Sequence, residues 1–452
     1  MLILTMASNQ SPLQIADQRF LLHPFTNHED LHDQGTQIIV SGSGVFVEDA
    51  RGRRLLDGLA GLWCVNVGYG RSEIIDAVAS QMRGIAFYPS FFNTTTEPPI
   101  RLAARLAEIA PPRINRTFFS NSGSEANETA LKMIRAYWVL KKQPRRTKIF
   151  SRDFSYHGVT LATTSMTGLP TCNEPFNLPL PDFLFAPAPY VYAADRCSDG
   201  EAYGRECIAA TARMIEEAGP ENIAAFFVEP IQGAGGVIPP PPGYLTALRA
   251  LCREHQILFV ADEVITGFGR LGDMLASNLW DLDPDIITLA KGLTSGYLPL
   301  GATMISEELW EAIVSGGYFA HGFTYSGHPV TCAAALANLD IIEREGLVPR
   351  VKSNIGPYFQ EKLRSFAGHP AVGDVRGVNL IGALELLPRG GKEARTANST
   401  LGMKAAALVR EEGSIVRGIR DIIALAPPLV ISRDEVDQLF ETVGTALDRL
   451  WE

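Results

Sequence analysis

The sequence predicts an α/β protein, with a large domain built on a mostly parallel sheet flanked by helices and a smaller α+β domain. Two observations carry this. Short, nearly continuous apolar runs alternate with helical patterns through the middle of the chain, as expected of strands buried on both faces of a parallel sheet and joined by right-handed crossovers. Beyond about residue 325 the character changes, and helical patterns flank short strands. The predicted division is residues 1–64 as the N-terminal segment of the smaller domain, 65–325 as the large domain and 326–452 as the C-terminal part of the smaller one. A chain of 452 residues suits two or three domains at about 150 residues each.

In chain order, the stretch Ile100 to Leu106 opens a helix after Pro99, where a missing N–H is harmless. Strand Thr117–Ser120 leads into helix Ser124–Leu140, in which Ala126, Ala130, Ile134 and Trp138 recur every fourth residue and Leu131 and Tyr137 widen the stripe. Strands Lys148–Ser151, Ala225–Val228, Ile257–Val264, Asp285–Ala290 and Gly301–Ile305 follow. Helices Val330–Glu345 and Arg433–Trp451 then enclose short strands such as Gly382–Leu386. No fixed-period repeat interrupts this order, and the one low-complexity tract is Pro239–Pro242.

Composition narrows the function. Fifty acidic against forty basic residues give a net charge of −10, with no basic cluster longer than a Lys-Lys or Arg-Arg pair, which argues against nucleic acid. No run of 18 apolar residues exists, and the longest, Leu184 to Ala194, holds two prolines, so no membrane association is expected. The start Met1-Leu2-Ile3-Leu4 lacks the basic region of a signal peptide. Six scattered cysteines (Cys64, Cys172, Cys197, Cys207, Cys252 and Cys332) without a C-x-x-C pair fit reduced thiols and a cytoplasmic setting.

Two motif matches fail on context. His28-Glu29-Asp30-Leu31-His32 matches the zinc-protease helix, but Gly35 cuts it short and no third ligand is in view; an exposed polar turn is expected, and no metal. Gly267-Phe268-Gly269-Arg270-Leu271-Gly272 matches a dinucleotide loop, yet the helix after it is short and the next strand ends in Lys291 where a ribose-binding acid belongs. Neither the serine-hydrolase elbow nor the P-loop occurs.

Three features combine better. Asn121-Ser122-Gly123-Ser124-Glu125 follows a strand and opens the strongest helix, so its free N–H groups and small residues suit a phosphate; an ordinary serine N-cap looks similar. Asp262 interrupts an apolar strand near its C-terminal end, where ligands bind in open α/β sheets, and a buried carboxylate needs a partner, either a ligand cation or a structural ion pair. Lys291 stands at the tip of the next strand, where apolar walls ease its deprotonation; alone, such a lysine is usually solvated. Pyridoxal 5'-phosphate would use all three, through its phosphate, its protonated ring nitrogen and an aldehyde that condenses with lysine. Asp262 would hold the ring proton, and Lys291 would be first the anchor and then the proton shuttle.

At this point the chain resembles, along essentially its whole length, the class III aminotransferases of PLP fold type I. Phe259 to Val264, Gly267 to Arg270 and Asp285 to Gly292 resemble that family's signature. Leu62-Trp63-Cys64, Tyr156-His157-Gly158 and Glu229 to Val237 resemble the ω-aminotransferases that use pyruvate. The resemblance implies that Ser122, Gly123 and Ser124 bind the phosphate, that Tyr156 and Val264 cover the two ring faces, and that Glu229 lies beside Asp262 and the ring hydroxyl. It implies that Thr324 reaches the neighbouring subunit's phosphate, hence a homodimer or higher oligomer with sites at the interface. Trp63, Phe91 and Phe92 resemble walls of the amine pocket, and Arg417 matches the arginine that pairs with the acceptor's carboxylate, with Arg420 close enough to compete for that role.

The resulting expectation is a transaminase that moves an amino group from a primary amine or ω-amino acid, such as β-alanine, to pyruvate in two half-reactions. The alternatives are 2,2-dialkylglycine decarboxylation, an aminomutase or a catalytically silent PLP-binding protein. An NAD oxidoreductase stands further off.

Overall fold

The computed structural model describes residues 11–196, 199–394 and 399–451; the Met1–Leu4 start and Cys197 lie outside the described residues. Its centre is a seven-stranded sheet. In chain order the strands are β4 (Ile114–Ser120), β5 (Lys148–Arg152), β6 (Phe183–Ala186), β7 (Ile223–Val228), β8 (Leu258–Asp262), β9 (Ile286–Leu289) and β10 (Gly301–Ser306), after β1 (Ile39–Ser43), β2 (Phe46–Asp49) and β3 (Arg54–Asp57). Spatially they run β4-β10-β9-β8-β7-β5-β6. Strand β10 is antiparallel to both neighbours and every other pairing is parallel.

The expected strands all form, with boundaries moved by one to three residues. Strand β8 stops at Asp262, not Val264, because the Glu263 carboxylate turns to accept the Ser277 N–H at 2.7 Å and the Thr266 hydroxyl at 3.0 Å. The edge strand β6 sits at the start of the apolar run Leu184–Ala194, whose prolines end it after four residues. Helix Glu97–Ile109 begins before its two prolines, which occupy the first turn, where their missing N–H groups are tolerated. Helix Gly123–Leu140 buries Ala126, Ala130, Ile134 and Trp138 against the sheet, as the four-residue spacing requires.

Two smaller sheets flank this core. Strands β1-β2-β3 continue into β13 (Ser414–Ile415), which pairs in parallel with β3, so the two ends of the chain share one sheet. Strands β11 (Val372–Val378) and β12 (Ile381–Leu386) join β15 (Ile422–Leu425) and β14 (Arg417–Ile419) in the order β11-β12-β15-β14. The glycine run after β8 is spent on backbone geometry: Gly269 and Gly272 have φ of +96° and +80°, values that suit glycine. Between them Arg270, fully buried, donates to the Leu380 carbonyl at 3.2 Å and to Asn66 Oδ1 at 2.9 Å, tying the turn to both ends of the chain.

His28–Gln34 is a short exposed helix capped by the Asn27 side chain. Among the described residues no helix is long and apolar enough to cross a membrane, and no group of three or more His, Cys, Asp or Glu is placed to hold a metal. The five described cysteines are free thiols.

Candidate active site

Parallel strands ending together leave a crevice at their C-terminal edge. Here the ends of β7, β8 and β9 deliver Glu229, Asp262 and Lys291 to one cleft of about 120 Å³, which also takes in Gly123, Ser124, Asn127, Tyr156, His157 and Val264. Seven of the residues singled out from sequence therefore line one cavity, and Ser122 caps the helix that begins there, its hydroxyl accepting the Glu125 N–H at 3.2 Å.

Asp262 is buried and richly held. Its Oδ2 accepts from His157 Nδ1 at 2.7 Å and Asn127 Nδ2 at 2.8 Å, and its Oδ1 accepts the Val264 N–H at 3.1 Å, which leaves Oδ1 capacity for another donor. Asn127 also donates to the His157 carbonyl at 2.8 Å, closing the triangle. The opposite edge of the His157 ring, Nε2, is buried without a partner. Glu229 accepts the Tyr156 N–H at 2.9 Å and the Gly233 N–H at 3.0 Å, and burial pushes its carboxyl above the ordinary range.

Burial pushes the Lys291 amine below its usual range, although Cys64, Asp262 and Glu229 pull it back and Arg417 reinforces the fall. Its backbone adopts φ +43°, a left-handed conformation that a lysine takes only when its surroundings impose it. Trp63, 2% exposed, has φ +58° in the same way, and its ring lies 4.8 Å from the Arg417 guanidinium carbon. Burial also holds Arg417 below the usual guanidinium range, with Tyr156 and Cys172 opposing. Arg420 differs, because it donates to the Gly235 carbonyl at 3.1 Å and stacks 5.2 Å from Phe154.

The remaining residues lie apart. Phe91 and Phe92 line a separate groove with Tyr318 and Gly322, Phe92 is 86% exposed, and Thr324 is exposed on the same side. Sequence reasoning gave no role to His157, Asn127 or Phe25. The histidine stood inside a quoted motif, and the asparagine lies one turn beyond the phosphate-type loop, but only the fold brings them to Asp262. Phe25 packs edge-on to Tyr156, ring centres 6.5 Å apart, from a segment without periodic signal.

A pyridine-aldehyde phosphate fits these residues. An enclosed lysine and an acid with a spare acceptor face one cavity. The first amides of helix Gly123–Leu140 have no carbonyl one turn back. A side chain on Gly123 would come within 3.1 Å of Val264, so the glycine keeps the cradle open.

Comparison with known proteins agrees. The chain matches the class-III aminotransferase family over residues 29–447. A putrescine–pyruvate aminotransferase of Pseudomonas aeruginosa is 41% identical over 428 residues, 95% of this chain and 94% of that one. The ω-transaminase of Pseudomonas jessenii in complex with PMP superposes with a TM-score of 0.94 at 39% identity, covering 97% of this chain and 98% of the other. An (S)-enantioselective ω-transaminase of Thermomicrobium roseum gives 0.93 at 44% identity, with 97% and 98% covered.

Proposed function

The chain belongs to the class-III aminotransferases of PLP fold type I, and from that premise we propose that it uses pyridoxal 5'-phosphate to move the amino group of a primary amine or ω-amino acid to pyruvate, leaving alanine and an aldehyde or ketone. The observation that carries the reading is one cleft holding a lysine that burial drives toward its neutral form, a carboxylate held by three donors, and an open helix start. The complex of the Pseudomonas jessenii relative with PMP supports the cofactor.

Pyridoxal phosphate supplies an aldehyde and an electron-withdrawing ring that ease proton loss at the carbon bearing the amine. This chain's residues supply the rest. Lys291 Nζ, which burial drives toward its neutral form, would take the proton from that carbon and deliver it to the cofactor carbon that carries the aldehyde. Asp262, fixed by His157 and Asn127, would hold the proton on the ring nitrogen. Ser122, Gly123 and Ser124 would hold the phosphate at the helix start, joined by Thr324 of a second copy, and Tyr156 and Val264, which line the cleft, would cover the ring. Trp63 would wall the amine pocket, joined by Phe91 and Phe92 of a second copy, since this chain's own pair lies in a separate groove. Arg417 pairs with the carboxylate of pyruvate, because it stands over Trp63 and bears on Lys291 and Tyr156, whereas Arg420 is engaged with Gly235.

The sheet shared by β3 and β13 supports grouping residues 1–64 with 326–452 around a large domain, 65–325. Five unpaired thiols support a reducing, cytoplasmic setting.

The test is to load the purified protein with pyridoxal phosphate and offer putrescine, β-alanine and an aromatic amine, each with pyruvate. Alanine should form in step with amine consumed. Carbon dioxide release would favour the decarboxylase, an amino shift within one molecule the aminomutase, and no turnover a silent binder.

A further inference from the structure

Arg376 of β11 and Arg420 of the turn between β14 and β15 grip three consecutive carbonyls of the glycine-rich loop after β7. Arg376, on β11, donates through Nε to the carbonyls of Gly236 at 3.1 Å and Val237 at 3.0 Å, and through Nη2 to Gly236 at 2.7 Å. Arg420 takes the Gly235 carbonyl. The loop has no slack there, since a side chain on Gly236 would meet Ile422 at 2.5 Å and one on Gly235 would meet the Phe154 carbonyl.

The Arg376 side chain is 9% exposed, and each of its three nitrogens has a partner. Nη1 meets Asp374 at 2.8 Å, and Nη2 meets Glu385 at 2.8 Å and the Tyr190 hydroxyl at 2.9 Å. Tyr190 in turn donates to Glu385 and packs edge-on to Phe154, the ring on which Arg420 stacks. A planar fork held by two acids and spent on backbone oxygens has fixed geometry, which a point charge would not give.

What the loop connects gives the grip its consequence. At one end Gly233 donates to Glu229 in the cleft; at the other, the gripping sheet carries Arg417 three residues before Arg420. We propose that Arg376 is a positioning residue that locks the glycine-rich loop to the C-terminal sheet and so sets Arg417 at the distance a keto-acid carboxylate requires. This rests on the carboxylate role of Arg417 given above. A bidentate pair has a fixed geometry and tolerates little displacement. An amine without a carboxylate does not use that contact, so the loss is one-sided.

The test compares holoenzyme variants Arg376→Met, Arg376→Lys and Asp374→Asn with Arg417→Leu. Two readouts are taken: KM for pyruvate against KM for the amine, and binding of lactate, which has pyruvate's carboxylate but no carbonyl to react. Arg376→Met should raise the pyruvate KM and the lactate Kd about tenfold or more, about 1.4 kcal/mol, while the amine KM stays within about twofold. Arg376→Lys and Asp374→Asn, which leave no stranded buried acid and fold where the methionine variant fails, should give smaller shifts in the same direction. Adding Arg376→Met to Arg417→Leu should do nothing more to lactate. Equal shifts for both substrates, or none while Arg417→Leu still raises the pyruvate KM, would overturn the positioning role alone. An unchanged pyruvate KM in Arg417→Leu would overturn the carboxylate reading and this proposal with it.

Discussion

Lys291 combines burial, left-handed backbone and a depressed pKa, and these features oppose stability as much as they serve chemistry. In the cofactor-free protein its folded-state pKa lies below the unfolded value of 10.5, so the folded chain binds fewer protons. The penalty is absent above pH 10.5, grows as pH falls toward the depressed value and is complete below it. Lys291→Met should therefore abolish turnover while stabilising the cofactor-free chain, with a gain in melting temperature that is largest near neutrality and fades toward pH 10.5. A variant less stable than the parent at neutral pH would contradict this. For Asp262 the expectation is catalytic: Asp262→Asn should lower kcat by several orders of magnitude. His157→Phe, which removes one of three donors to that carboxylate, should lower it by about 10-fold to 100-fold. The two aspects of the site were unequally legible. Lys291 and Asp262 showed themselves as polar residues at the ends of apolar strands. His157 and Asn127 did not, because their contact with Asp262 spans 105 and 135 residues of chain and no local pattern encodes it.

At the scale of elements, the cradle depends on how helix Gly123–Leu140 starts against the turn after Tyr156. A side chain on Gly158 would meet Thr163 Oγ1 at 2.5 Å and Ser124 Oγ at 2.8 Å, and its φ of +141° lies outside ordinary side-chain geometry. Ser124 meanwhile accepts the Val159 N–H at 3.1 Å, so the turn and the helix start move together. Gly158→Ala should raise the dissociation constant for pyridoxal phosphate by a factor of ten or more, read by titrating the cofactor-free protein. Gly123→Ala, which meets the Val264 methyl groups at 3.1 Å and Ala290 at 3.7 Å, should raise it less. The reverse ranking would mean that the phosphate lies elsewhere. Elements of this kind were readable where one rule dominated: apolar strands buried on both faces, and a helix with a four-residue stripe. The glycine-rich stretch after β8 matches a ligand motif because glycine required by a turn and glycine required by a ligand spell the same letters; the short helix and Lys291 after it already argued against the ligand, and its packing around Arg270 gives the structural reason for the glycines.

At the scale of the whole molecule, one side of the chain exposes a group of aromatic side chains. Phe87, Tyr88, Phe92, Tyr318 and Tyr325 are all exposed there, with Phe87 and Tyr325 already in contact at 5.5 Å between ring centres, and Thr324 lies on the same side. Contiguous apolar surface of this kind marks an interface. Phe91, Phe92 and Thr324 were chosen from sequence for the site and yet stand apart from the chain's own cleft, so both facts meet if a second copy brings this face to its partner's cofactor. Sedimentation should therefore give twice the 49.2 kDa of the chain. Tyr325→Glu, which places a charge in that face, should split the pair and weaken pyridoxal phosphate binding together. Thr324→Ala should weaken binding, by roughly threefold to tenfold for one lost hydrogen bond to a charged group, and leave the mass unchanged. A monomer that holds the cofactor and turns over at full rate would remove all three residues from the site. A Thr324→Ala protein with unaltered affinity would leave the dimer standing and assign the phosphate wholly to the helix start.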